Sequence, residues 1–132
     1  SILQWQLTSD YSPLWGDGIY GSKGPLHPTQ RFFNLMQLAM TPQDAFAVPV
    51  SCDKENIQTA GFVKMATGEW AIHLVNNGAS CESTISGLPV TTKEVVVYVT
   101  NRDCHAEARL VRVNDGQLTV RLPAESFITI IA

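Results

Sequence analysis

Residues 107–122 read Glu107-Ala108-Arg109-Leu110-Val111-Arg112-Val113-Asn114-Asp115-Gly116-Gln117-Leu118-Thr119-Val120-Arg121-Leu122. Two runs of alternating character flank an Asp-Gly pair. Alternation with period two is the signature of a strand with one buried face. Asp-Gly suits the two φ > 0 positions of a type I′ turn. The expectation is a hairpin in which Leu110, Val111 and Val113 face Leu118, Val120 and Leu122.

The same pattern extends in both directions. Strands are expected at about 46–51, 58–65, 69–76, 81–86, 94–100, 106–113, 117–122 and 126–131. Thr67-Gly68 is a second short turn signal, and Asn76-Asn77-Gly78 and Gly87-Leu88-Pro89 mark wider connections. About eight short strands spaced roughly every ten residues predict a mainly β fold, an antiparallel two-sheet sandwich. The last run, Ser126 to Ala132, stops with the chain, so the C-terminus reads as a real end.

Ahead of Pro42 the character changes, and the division expected is 1–45 against 46–132. Ile2-Leu3-Gln4-Trp5-Gln6-Leu7 reads as a short strand. A long loop from Asp10 to His27 follows, punctuated by Pro13, Gly16, Gly18, Gly21, Gly24 and Pro25; loops of that length are usually functional or disordered. Pro28 suits the first turn of a helix. Phe32, Leu35, Met36 and Ala39 form an apolar stripe at i, i+3, i+4 and i+7, widened by Phe33 and Met40, and Pro42 stops the helix. The order is strand, loop, helix, one βα unit. With no initiator Met at Ser1, the start reads as the middle of a longer chain.

Composition excludes several classes. The chain has 132 residues, is 45% hydrophobic and 16% charged, and has a net charge of -3, the balance of a domain that can fill a core. No block of Lys and Arg with interleaved aromatics points to nucleic acid, and no apolar run approaches bilayer length. Cys52, Cys81 and Cys104 lack metal or redox spacing, and small buried thiols in strands are the favoured reading. His27, His73 and His105 have no metal-ligand spacing, and adjacent Cys104 and His105 point to opposite strand faces, a poor catalytic couple. No cofactor or metal is expected.

The acids are scattered, with no pair placed for two-carboxylate hydrolysis. Gly16-Asp17-Gly18-Ile19-Tyr20-Gly21 matches G-x-G-x-x-G literally, but it lies far from both strand and helix and is rejected as a dinucleotide site. The aromatic set Trp5, Tyr11, Trp15 and Tyr20 remains. Aromatic faces stack on the C–H faces of sugar rings. Taken alone, Trp5 reads first as core and the loop aromatics as folding back over the helix, with a sugar surface second.

In order along the chain, four stretches resemble the tail of a clan A glycoside hydrolase, closest to glycoside hydrolase family 30. Leu3-Gln4-Trp5-Gln6-Leu7-Thr8-Ser9-Asp10 resembles the eighth strand of the (β/α)8 barrel, and residues Pro28 to Ala39 resemble its eighth helix. Gly68 to Asn77 resembles a hairpin of the accessory sandwich, and Leu122 to Ile131 resembles its closing strand. The resemblance implies that Trp5 walls the sugar subsite, with Tyr11 and Trp15 extending it. It also implies partners in the parent's barrel and in a carbohydrate, a retaining mechanism, and an extracytoplasmic location. Both catalytic glutamates of the clan would precede Ser1, so this chain is expected not to hydrolyse by itself. The competing readings are a free-standing carbohydrate-binding sandwich, which needs a coplanar row of exposed aromatics, and an Ig-like interaction domain, which leaves the βα unit without purpose.

Overall fold

The computed structural model describes residues 13–16 and 24–132. Two short strands come first, β1 (Leu14–Trp15) and β2 (His27–Pro28), then helix α1 (Gln30–Leu38). Eight strands follow: β3 (Phe46–Val48), β4 (Ile57–Val63), β5 (Trp70–Asn76), β6 (Cys81–Ser86), β7 (Glu94–Thr100), β8 (Glu107–Arg112), β9 (Gln117–Leu122) and β10 (Ser126–Ile131). They build a six-stranded antiparallel sheet in the order β3-β4-β5-β10-β7-β8, faced by a two-stranded sheet of β6 and β9. The architecture is the expected sandwich with a helical unit ahead of it. The expected strand at 2–7 lies outside the described residues.

The core sits between the sheets. Trp70, Ile72 and Leu74 of β5, Val95, Val97 and Val99 of β7, and Ile128 and Ile130 of β10 meet Leu118, Val120 and Leu122 of β9. Ile128, Ile130, Val97 and Leu118 are fully sealed at 0% exposure. Each such aliphatic side chain contributes about 1.5–3 kcal/mol of transfer free energy. The sheets differ in how many faces they bury. β9 alternates strictly, with Leu118, Val120 and Leu122 in and Gln117, Thr119 and Arg121 out, because its far side meets solvent. β5 is buried almost throughout, because α1 lies across the opposite face of the large sheet.

The Asp115-Gly116 turn forms as expected, with φ of 48° and 72° and Gln117 N–H donating to Asn114 O at 2.8 Å. The hairpin does not. Beyond the single Asn114↔Gln117 bridge the two strands part: β8 pairs with β7, and β9 with β6. The turn carries the chain from one sheet to the other. Val111 thereby finds Val95 as its neighbour, rather than a residue of β9. The Thr67-Gly68 signal does close a true hairpin, β4 to β5, with Lys64 N–H on Glu69 O at 2.8 Å and Gly68 at φ 76°.

Helix α1 also departs from its expectation. Pro28 belongs to β2, and Thr29, in extended conformation, precedes the first helical residue. The fully buried residue of the helix is not on the apolar stripe but is Gln37. Phe33 and Gln37, one turn apart, and Thr41 beyond the helix end all meet the large sheet or its loops. Phe32, Leu35 and Met36 are only half-buried. The thiols differ as well: Cys81 lies half-buried in β6, Cys104 half-buried in the connection before β8, and Cys52 exposed in the segment before β4. Cys104 and His105 are therefore loop residues rather than strand neighbours. No disulfide links the three.

Candidate functional site

The expected sugar surface is represented by Trp15. It lies in β1 opposite His27 of β2, 38% exposed. Its position is set by the base of the loop. Thr29 ties that base down twice, its N–H and its hydroxyl both donating to Pro13 O at 2.8 Å. Gly16 then turns with φ 101°, where an added Cβ would lie 2.4 Å from Pro25 O, so only glycine fits this close approach. The consequence is a rim of Trp15, Leu26 and His27 just ahead of the helix, partly open to solvent. Trp5 and Tyr11, the other expected members of the surface, lie outside the described residues.

A second cluster had no signal in the residue pattern. Beneath α1, Gln37 Nε2 donates to Thr129 Oγ1 at 3.1 Å and to Tyr98 O at 3.2 Å, and its Oε1 accepts the Thr100 hydroxyl. Thr129 in turn meets His73 Nδ1 at 2.9 Å, and His73 Nε2 meets Thr41 Oγ1 at 2.8 Å. Register explains the convergence: Tyr98, Thr129 and His73 are direct cross-strand partners in one row on the helix side. Burial holds the His73 imidazole below its ordinary pKa, so it is neutral at pH 7. Only the combination of Gln on a helix with Thr and His on alternate positions of buried strands would have hinted at it.

The third feature is a cleft of about 1060 Å³ on the opposite face. It opens because two strands cannot cover six. Its floor is the apolar side of β4 and β5, with Ile57, Ile72 and Leu74, and its walls are residues 49–54 and β6. Lys54 Nζ spans it to donate to Glu82 O at 3.0 Å. Among the described residues no group of three or more His, Cys, Asp or Glu side chains is arranged to hold a metal ion. No helix among them is long and apolar enough to cross a membrane.

No family model matches the chain, and no curated protein sequence matches it significantly. Solved structures do match. A family 30 endoxylanase from Clostridium papyrosolvens superposes with a TM-score of 0.71 at 21% identity, over 80% of this chain and 28% of its own. The catalytic domain of family 30 xylanase C from Talaromyces cellulolyticus gives 0.72 at 17% identity, over 91% and 27%. A family 51 arabinofuranosidase from Xanthomonas axonopodis pv. citri gives 0.62 at 18% identity, over 91% and 28%. The chain thus spans little more than a quarter of each of these three structures. Its fold is one that recurs as part of these glycoside hydrolase structures.

Proposed function

We propose that this chain is the C-terminal region of a retaining glycoside hydrolase acting on a β-linked glycan. Residues 46–132 are its accessory sandwich, and residues 1–45 the last strand, loop and helix of its barrel. The observation that carries the reading is the fold match, which takes in 80–91% of this chain and only 27–28% of the two family 30 structures. A complete barrel needs roughly 250 residues, so the two catalytic carboxylates belong to the remainder of such a protein. Hydrolysis there proceeds through a covalent glycosyl-enzyme intermediate, and this chain contributes a wall to the sugar site. Trp5, Tyr11 and Trp15 are the residues assigned to that wall, offering aromatic faces to sugar rings. The location is extracytoplasmic, as for an enzyme whose polymeric substrate lies outside the cell.

A free-standing carbohydrate-binding sandwich is less well supported. Of the aromatics in the eight sandwich strands, Phe46 is exposed at 66%, whereas Trp70 is buried and Phe62, Tyr98 and Phe127 are half-buried. One exposed ring makes no coplanar row. The test joins the chain to the coding region upstream of Ser1 and assays both forms on xylan and β-glucan. The joined protein is expected to hydrolyse one of them and the 132-residue chain neither. Trp15→Ala in the joined protein should raise KM. An upstream region without barrel length, or activity in the short chain, overturns the proposal.

A further inference from the structure

His73 is the most buried titratable side chain described on the helix-bearing face of the large sheet, 4% exposed, and its neighbours fix where its proton sits. The Thr41 hydroxyl donates to Leu38 O at 2.7 Å, so at 2.8 Å from His73 Nε2 its oxygen is the acceptor and Nε2 carries the hydrogen. Nδ1 is then bare and accepts the Thr129 hydroxyl at 2.9 Å. Thr129 Oγ1 receives Gln37 Nε2 at 3.1 Å. Gln37 Oε1 receives the Thr100 hydroxyl, whose oxygen receives Ala106 N–H at 2.8 Å. The donors run one way, from Ala106 through Thr100, Gln37, Thr129, His73 and Thr41 to Leu38. The chain starts in the connection before β8, runs along the helix side of the sheet and ends on the carbonyl of the last helical residue.

A one-way chain has no room for a second proton on the ring. Placed on Nδ1, it meets the Thr129 oxygen, and the hydroxyl hydrogen now sitting there must turn away. The Phe62 and Phe127 rings, with centroids at 5.9 Å, flank the imidazole and offer no acceptor. Nor is there, among the described residues, a compensating charge in contact. α1 and the residues after it present Gln37 and Thr41; β4 presents Phe62 and, in the same row, Ala60; β10 presents Thr129 and Phe127. β7 contributes Tyr98, a titratable phenol, in the same row beyond Thr129. Arg31 lies at the opposite end of the helix and is exposed. A buried imidazolium in this setting is uncompensated.

We propose that the Gln37–Thr129–His73–Thr41 chain is an acid-released latch, which holds α1 on the sheet while His73 is neutral and lets the helix go when Nδ1 takes a proton. The two-sheet core lies on the other face and stays folded. Wherever α1 belongs to a larger unit, the latch sets how the sandwich is held against it.

Amide exchange of this chain between pH 7.5 and 4.5, corrected for intrinsic rates, is the test, read together with an NMR titration of the His73 ring. Because protons on His73 favour the open helix, opening should rise as pH falls below about 6.5, by at most tenfold per pH unit, and level off once pH passes the lowered pKa of the closed-state ring. The rise is expected in Ala39, Met40 and Thr41, with β9 and β10 amides unchanged and the His73 ring titrating below the ordinary histidine range. His73→Gln, whose amide can both donate to Thr41 and accept from Thr129, should make helix protection independent of pH. Simultaneous loss in α1 and β10, a helix insensitive to pH, or an unchanged pH response in His73→Gln overturns the latch. If that variant does not fold, the wild-type titration decides, since it needs no substitution.

Discussion

Replacing Asn76 by Leu tests how far one side chain holds the end of the sandwich together. Asn76 is the last residue of β5, 0% exposed, and its amide reaches three separate segments. Nδ2 donates to Ala79 O at 3.0 Å and to Pro123 O at 2.7 Å; Oδ1 accepts from Asn56 Nδ2 and from Gly78 N–H, both at 3.0 Å. A leucine of similar volume keeps the packing and removes all four bonds. Each net bond contributes about 0.5–1.5 kcal/mol, and a buried orphan costs about 1–3. Asn56 and Ala79 are exposed, so water can replace part of the loss there. Pro123 O and Gly78 N–H are less accessible. The sum is about 3 kcal/mol. At roughly 2.1 cal/mol/K per residue, 132 residues give an unfolding entropy near 0.28 kcal/mol/K, so Tm should fall by about 11 °C. Urea denaturation with an unchanged m-value would report the same loss as a lower midpoint. Asn76→Asp is the companion: it keeps the shape but turns two donors into acceptors against carbonyl oxygens, and should be at least as damaging at pH 7. A loss below about 1 kcal/mol for both would refute the assignment of Asn76 as the tie between these segments.

Three further outcomes follow from the packing. Ile130→Ala, at a sealed position between β5 and β7, should cost about 2–5 kcal/mol in urea denaturation, near the upper end if the cavity does not collapse. Gly116→Ala should destabilise by more than about 1 kcal/mol, since its Cβ would lie 2.7 Å from Leu88 O at φ 72°, whereas Ala106→Gly, at φ 51°, should be neutral or stabilise by up to about 1 kcal/mol; calorimetry on the pair reads both signs. With an aromatic disulfide reagent under native conditions, Cys52 should react first and Cys81 and Cys104 more slowly, which peptide mapping after brief labelling would show.

The strands were legible in the sequence because a strand with one or two buried faces writes its period into adjacent residues. Each of the eight expected ranges contains or closely overlaps an observed strand. Partner choice was not legible. Asp115-Gly116 specifies a turn from two residues, but whether Val111 lies beside Val95 or beside a residue of β9 depends on the competition of the whole large sheet for its edge. The helix shows the same limit. Its apolar stripe is a local pattern, whereas the burial of Gln37 depends on Thr100 and Thr129, 63 and 92 residues away. Of the expected sugar-wall residues, Trp15 sits on a partly open rim, and Trp5 and Tyr11 fall outside the described residues. The sandwich cleft left no mark in the sequence, because it arises from unequal strand numbers and not from any motif.

The contact between Lys54 and Glu82 O also tells the direction in which β6 presents its backbone. Because a strand residue aims its N–H and C=O to the same side, Glu82, Thr84 and Ser86 turn theirs away from β9, the strand with which β6 pairs among the described residues. Those groups form an unfinished hydrogen-bonding edge beside an apolar hollow, the combination on which foreign strands add and aggregates nucleate. The lysine guards it: one ammonium occupies a carbonyl that an incoming amide would need, and its charge is costly to bury under a new strand. Acetylating Lys54 would remove the guard without touching the core, and the shelf life of a concentrated solution would record the difference.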